Sequence, residues 1–454
     1  MDNKFVLANR EEIRFDEELT TQPIGYYKDA WNRFKKNKAS VVASIIMIFL
    51  LLLAIVGPFL RTDKLFNDHI QHAQRLVSEG ELPPKIKGLE WLPGFGGVRT
   101  VSFSNKEYDY DPLLRDDVVK EFGKIVITPE EKLKFDATGG FTFKVNFYNY
   151  VDYKLSNTEF SLHTDELKII YALDEANASN PDYIPIIKNE GRIIRDENGE
   201  LMPDTNHRVT VSYFRFLKAV YDYEPAYPFG ADQRGRDMFV TLTRGARVSL
   251  LIAFSVSAIN IVIGVIIGSI SGYYGGTVDL VIERISEIIA GIPFIALITL
   301  LILRWGSSVF IVIIAFTATG WLGIAGSTRA QFYRYKNREF VLAARTLGAS
   351  DIRIMSRHIL PNAIGTLITS FVLYIPSVIF SESTFSYLGI INYANTTSVG
   401  RILSDAQSRL RVDHSLSFLL LFPALFVSLL MLSFNLFGNG LRDAFNPSLR
   451  GVDE

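Results

Sequence analysis

EFVLAARTLGASDIRIMSRHILPN, residues Glu339 to Asn362, is a polar, basic stretch set between two strongly apolar runs. Between Arg329 and Arg357 the chain carries seven Lys or Arg residues against two acidic ones, Glu339 and Asp351. Such an excess in a short loop between membrane spans holds the loop on the cytoplasmic side. Phe340, Ala343, Ala344 and Leu347 recur at helical spacing and predict a narrow apolar stripe. Gly348 permits a sharp change of direction, Ser350 is a candidate cap for a second short helix, and Pro361 favours a break just ahead of the next apolar run. A loop of this composition is suited to touch a partner.

Outward from that loop, the hydropathy pattern predicts six membrane crossings. Val41 to Leu60 is an apolar run of about 20 residues, enough at ~1.5 Å per residue to cross a ~30 Å hydrocarbon core. Arg33, Lys35, Lys36 and Lys38 precede it and GPFLRT follows without a small-residue cleavage pattern, so it reads as a retained span with the N-terminus inside. Further spans are expected at Val248–Ile270, Leu280–Leu303, Ser308–Thr328, Ala363–Phe380 and Ser415–Phe437. That count returns Arg442 and Arg450 to the cytoplasm along with the Glu339 loop. Arg234, Arg236, Arg244 and Arg247 are the exception, falling outside just before the second span. Unpaired backbone groups are too costly in lipid for anything but helices here.

The chain has 454 residues, 48% of them apolar, a formal net charge of −1 and no cysteine. These values point away from nucleic-acid binding and from disulfide or thiolate-metal frameworks. No GxxxxGK[ST] phosphate loop occurs, and no nucleophile stands with a matching base, so the chain reads as neither ATPase nor hydrolase.

The spacing Ala343-Ala344, Gly348 and Leu360-Pro361 resembles the EAA loop of ABC importer permeases. Among these it is most similar to the C-type permeases of dipeptide and oligopeptide importers, whose loop runs Glu-Tyr-Val-x-Ala-Ala-Arg-x-Leu-Gly-Ala and ends His-Ile-Leu-Pro-Asn. Leu342 stands where the wider superfamily often has Glu, and Glu339 lies three residues earlier as in the peptide branch. The likeness takes in Tyr26–Ser40 and everything from about Tyr227 to Leu449. YPFGADQRGRDMF carries over Gly230, Asp232, Gly235, Arg236 and Asp237, with Ala231 in place of the usual Thr. GARVSL at Gly245, GYYGGTVD at Gly272 and Pro293 follow, and SESTFSYLGI carries over Glu382, Ser386, Leu388 and Gly389. In NLFGNGLRDAFNP, Asn439 and Asn446 replace aspartates.

The resemblance implies a type I ABC importer permease fold: an all-α, six-span membrane protein in a bacterial plasma membrane, with both termini cytoplasmic. It implies a peptide permease pairing with a B-type permease, two ATP-binding subunits that supply ATP and Mg, and an extracellular peptide-binding lipoprotein. Glu339, Ala343, Ala344, Arg345, Gly348, Ala349, Leu360 and Pro361 would couple the pore to the ATPase, with Ala343, Ala344 and Gly348 as the contact core. Pro293, Glu382 and Ser386 become candidates for the translocation path. Physically, Pro293 predicts a kink within the third span. Glu287, with Arg284 as a local partner, and Glu382 both lie close enough to an interface to be hydrated. Gly272, Gly275 and Gly276 suit a tight reversal between helices.

The domain organisation reads as a cytoplasmic segment over 1–39, a first span over 40–60, an insertion over 61–226, a five-helix core over 227–440 containing the loop 329–362, and a tail over 441–454. The insertion is where the chain departs from its relatives. Asp63 to Ser78 places Phe66, Ile70, Ala73 and Val77 on one helix face. Phe141, Phe143, Val145 and Phe147 alternate as in a half-buried strand, and Asn198-Gly199 predicts a hairpin. A separate extracytoplasmic α+β domain is expected, one that helps seat the lipoprotein. His69 and His72 share a helix face but lack further ligands nearby, so no metal site is assigned. Acidic residues such as Asp109, Asp111, Asp116, Asp117, Glu130 and Glu131 read as solvated surface, with attraction of cationic peptides as the alternative.

Other readings stay open at this level: a permease for a chelated metal or an opine-like compound, a membrane receptor with an outer sensing domain, and a membrane-embedded enzyme. The short tail after Phe437 offers no signalling domain, and the spans hold no cluster of His, Asp or Ser.

Overall fold

The computed structural model describes residues 26–60, 81–103, 113, 115–128, 134–135, 141–232, 236–394 and 396–445. α1 (Tyr26–Lys36) is amphipathic and buries Ala30 and Phe34 against Ala444, close to the far end of the chain. α2 (Lys38–Leu60) follows after Asn37 and is long and apolar enough to cross a bilayer.

Two three-stranded antiparallel sheets lie between α2 and the remaining long helices. In the first, β1 (Val98–Phe103) and, after α3 (Asp116–Phe122), β2 (Lys134–Phe135) flank β3 (Phe141–Asn146). The predicted strand through Phe147 stops one residue short, and α4 (Phe147–Leu155) begins there instead. The Asn146 side chain accepts the N–H groups of Tyr148 (3.2 Å) and Asn149 (3.3 Å), which caps the helix and turns the chain away from the sheet. In the second sheet β4 (Glu159–His163) and, after α5 (Thr164–Ala176), β5 (Ile187–Arg192) flank β6 (Asn206–Val211), and α6 (Tyr213–Tyr221) closes the unit. One core serves both sheets, with Val145, Phe147, Leu162, Ile170, Val209 and Phe216 in a single cluster that reaches from Leu82 to Ala231.

The hairpin at Asn198-Gly199 is present, with Arg195 and Leu201 paired across it. Only Gly199 takes a positive φ, 83°. The Asp196 side chain accepts from the N–H groups of Asn198 and Glu200, both at 2.9 Å, so a carboxylate-stabilised loop replaces the tightest turn type. The helix expected over Asp63–Ser78, with His69 and His72, lies outside the described residues, as do Asp109, Asp111, Glu130, Glu131, Asn446 and Arg450.

α7 (Met238–Tyr274), α8 (Gly276–Ala290), α9 (Phe294–Trp305), α10 (Val309–Tyr335), α11 (Glu339–Thr346), α12 (Asp351–Tyr387), α13 (Val399–Leu410) and α14 (Ser417–Phe445) complete the chain. Among the described residues five helices, α2, α7, α10, α12 and α14, are each long and apolar enough to span a membrane. A sixth crossing requires α8 and α9 together, and these meet at 70°. The predicted kink at Pro293 is thus a break: Pro293 has extended backbone and stands at the start of α9, where its missing N–H costs nothing.

Pro361 does the reverse of what its sequence position predicts. No break occurs; the helix runs on from Asp351 to Tyr387. A π-helical turn over Ile354–Ile359 precedes Pro361, and that widening accommodates the ring where an α-turn would clash with the carbonyl four residues back.

Candidate functional site

The basic loop forms a short helix, α11, seated on the adjoining ends of α7 and α10. Val341, Ile354 and Ile359 are fully buried with Tyr273 and Phe332. Ala344 is buried too, 8% exposed, so of the three residues expected to make the contact core it faces its own chain. That corrects the stripe read from the sequence: Phe340, Ala343 and Leu347 are exposed, and Ile352 joins them on the surface. Leu347 is 88% and Ile352 74% exposed, a high value for apolar side chains next to a basic loop.

Gly348 makes the turn. Its φ is +80°, Gly348 N–H donates to Arg345 O (3.0 Å) and Ala349 N–H to Ala344 O (3.1 Å), the paired bonds of a Schellman cap. Ser350 stands at the start of α12, but its side chain makes no capping bond. Glu339 is the first residue of α11, and Leu360 and Pro361 lie beyond the π-turn.

Polar contacts tie this loop to the preceding turn. The Tyr273 hydroxyl donates to Asp351 Oδ1 (2.6 Å), and Arg345 Nη2 donates to that hydroxyl (3.2 Å) while its guanidinium lies over the ring. Gly275 and Gly276 take φ of 67° and 55°, the reversal expected of them, whereas Gly272 lies within α7. Lys336 Nζ donates to Gly272 O (3.0 Å). Next to it Asp279 receives Arg329 Nε (2.5 Å) and Nη2 (2.6 Å), the Tyr333 hydroxyl (2.6 Å) and the Ser271 hydroxyl. Arg329 also reaches Glu283 (2.9 Å). A bidentate pair of this geometry joins α8 to α10 as one piece. Asp279 closes the motif GYYGGTVD and Arg329 belongs to the basic excess, yet nothing in the spacing of the two residues signals that they meet.

Glu382 differs from its expectation. It is fully buried, not hydrated, and accepts from Ser249 (2.8 Å), Ser386 (2.8 Å) and Tyr393 (3.1 Å). These hydroxyls come from α7, from α12 itself and from the loop after α12, and Ser386 is equally buried. Glu287 pairs with Arg284 at 2.5 Å, as read.

At the other ends of these helices lies the segment with Gly230. Gly230 has φ +80°, and a Cβ there would fall 2.4 Å from the Phe418 ring and 2.6 Å from Leu82 O. Asp232 accepts from Arg236 through backbone N–H and Nε, both at 2.8 Å, and Asp237 caps α7 by accepting from Phe239 N–H (2.7 Å). Gly235 lies outside the described residues. Arg247, one of the arginines that ran against the charge rule, donates to Ile55 O at the end of α2 (2.7 Å). A cavity of about 140 Å³ between this segment and α13 is lined by Asp232, Arg236, Thr241, Asp405 and Arg409.

Residues 264–451 match the family described as binding-protein-dependent transport system inner membrane component, and residues 25–84 match the N-terminal TM domain of oligopeptide transport permease C. The dipeptide transport system permease protein DppC of Bacillus subtilis is 40% identical over 222 residues, covering 49% of this chain and 69% of that protein. The oligopeptide transport system permease protein OppC of the same organism is 41% identical over 222 residues, 49% of this chain and 72% of the relative. OppC of Escherichia coli is 37% identical over 234 residues, 52% of this chain and 76% of the relative. A solved inward-facing structure of the MetNI methionine ABC transporter aligns with a TM-score of 0.37 at 17% identity, over 46% of this chain and 98% of that one. The chain belongs to the family of binding-protein-dependent membrane permeases, in its oligopeptide and dipeptide C-type branch.

Proposed function

We propose that this chain is the C-type permease subunit of an ATP-driven peptide importer, forming half of the translocation pore and performing no chemistry itself. The observation that carries the reading is α11: a short helix on a basic loop, held to the spans on one side by Val341 and Ala344 and showing Phe340, Ala343, Leu347 and Ile352 on the other. An apolar face outside the membrane needs a protein partner. The partner proposed is an ATP-binding subunit, which supplies ATP and Mg. Closure of two such subunits would move α11 and, through Tyr273, Asp351 and the Asp279–Arg329 pair, shift α7, α8, α10 and α12 as rigid bodies between two cavity orientations. A B-type permease completes the pore, and a lipoprotein delivers peptide on the extracytoplasmic side, where the inserted α+β domain helps to seat it.

Purification through a C-terminal tag in mild detergent, with mass spectrometry of what accompanies the chain, tests the assembly. Two ATPases, a second permease and a lipoprotein are expected; the chain alone, under conditions that keep a known importer intact, overturns the reading. Gly348→Arg tests the site. No atom lies within 4 Å of the Cβ position, so the change leaves the interior packing alone while it strains the turn and adds bulk to the exposed face. Peptide uptake should fall by about tenfold or more with ATP hydrolysis retained; normal peptide-dependent growth counts against the coupling role.

A further inference from the structure

Residues 85–97 leave the inserted domain as a tight loop whose tip shows Leu89 and Trp91 on either side of an exposed Glu90. Lys85 pairs with Gly96 across its base, and Gly97 N–H donates to Pro84 O (3.0 Å). Within it three successive turns are closed by Leu89 N–H to Ile86 O, Leu92 N–H to Leu89 O and Phe95 N–H to Leu92 O, each at 3.0 Å. Gly88 and Gly94 take φ of +82° and +88°, which bends the chain sharply on either side of the tip. On that ordered tip Trp91 is 76% exposed, with Leu89 39% exposed beside it. An indole held 76% exposed by a preorganised loop is an unusual feature for a water-facing surface.

The position of the loop supplies the reason. Phe95 packs on Phe422, their ring centroids 6.4 Å apart, and Phe422 stacks on Phe229 at 4.3 Å. Phe422 belongs to α14, a candidate membrane span, and at ~1.5 Å per residue it lies roughly 8 Å along the helix from Ser417. The loop therefore meets α14 close to one end of that candidate span, where the chain passes between lipid and water. On the same stretch of α14 Leu421 and Leu425 are 52% and 47% exposed, as expected of a helix that meets lipid. Lys87, on the flank of the tip, is paired with Glu224 of the inserted domain at 2.9 Å and keeps its charge in water.

We infer that the 85–97 loop is a membrane-interface anchor, with Trp91 and Leu89 inserted among the lipid headgroups beside α14. Tryptophan suits this layer because its ring is apolar and its N–H is a hydrogen-bond donor. The anchor holds the inserted domain down on the bilayer, and the inference stands on the membrane spans alone, independently of what the permease carries.

The test is fluorescence of the full chain in nanodiscs, assembled with whatever subunits accompany it. The tryptophans are Trp31, Trp91, Trp305 and Trp321. A variant with Trp31→Phe, Trp305→Phe and Trp321→Phe isolates Trp91; if it folds poorly, the difference between wild type and Trp91→Phe gives the same signal. Lipids brominated high on the acyl chains should quench Trp91 by about twofold, and lipids brominated near the chain ends by clearly less. Absence of quenching by either lipid overturns the inference, whether iodide reaches the indole, as it would in water, or is excluded, as it would be under a partner subunit. Stronger quenching from the chain ends overturns the interfacial position.

Discussion

Glu382 carries a carboxyl buried among the long helices. Its carboxyl is fully enclosed and satisfied by the hydroxyls of Ser249, Ser386 and Tyr393. Glu382→Leu removes the shared acceptor and leaves several buried hydroxyls short of a partner, at a cost of about 2–3 kcal/mol. Thermal unfolding of the detergent-solubilised chain should show a clearly lower midpoint for Glu382→Leu, and Glu382→Gln, which keeps an acceptor, should recover most of it. In the inserted domain Asp152 is also buried, accepting from Phe214 N–H (2.9 Å) and Ser156 (3.3 Å). Burial pushes its carboxyl from the ordinary 3.8 up to about 6, against the pull of those two donors and of Arg215. The folded state therefore binds the proton more tightly than the unfolded state. Its contribution to stability is greatest below about pH 4, falls by about 3 kcal/mol in all as pH rises through 6, and is flat above about pH 7. Hydrogen exchange in α4 and α6 across this range checks the slope, which Asp152→Asn should abolish.

Between elements, close helix packing is arranged by small residues at fourfold spacing. Gly264, Gly268 and Gly272 lie on one face of α7, and Cβ atoms there would fall 2.7 Å from Ile324, 2.3 Å from Ala325 O and 2.6 Å from Arg329 O of α10. Among the described residues α7 and α10 make the most extensive helix pair. The packing follows the small-xxx-small rule of membrane helices, where backbone approach replaces hydrophobic burial. Gly268→Val should cost about 2–3 kcal/mol by overpacking against backbone that cannot yield; a reduced thermal midpoint for the purified chain, with Gly323→Val as a control in open space, is the expected result. Centres of the spans were legible in sequence because apolar runs report membrane thickness. Their ends were not: α7 starts ten residues before the predicted Val248, since Asp237 caps it and Arg247 finds a carbonyl of α2, contacts invisible to a hydropathy window.

For the molecule as a whole, the two-sheet unit between α2 and α7 is clamped to the long helices. Glu81, 1% exposed, pairs with Arg409 of α13, with Nε at 2.7 Å, and Arg99, 7% exposed, pairs with Asp413 and donates to Ser415 (2.5 Å). Backbone bonds add to this, Ala231 N–H to Leu82 O and Lys85 N–H to Tyr227 O, both 2.8 Å. Arg409→Ala leaves Glu81 buried without its cation, at a cost of about 3 kcal/mol or more. The domain should then loosen from α13, read as faster hydrogen exchange over residues 81–99 with little change in α10. Unchanged exchange would assign the attachment to the backbone and to the aromatic contacts of Phe229 and Phe422.

Sequence by itself determined the class of protein, the rough position of five of the spans, and the loop that turns at Gly348, because each of these is written in local composition and short-range spacing. It also carried the sheet and hairpin signals of the insertion in part, failing at Phe147, where one capping side chain converts strand to helix. Only the tertiary structure decided that Ala344 faces inward, that Glu382 is enclosed and that Asp279 meets Arg329. The same holds for Glu81 and Arg409, which lie far apart in the chain and come together in space. Burial and pairing of that kind depend on which helix faces are covered by distant segments, and a linear pattern of residue types does not encode that.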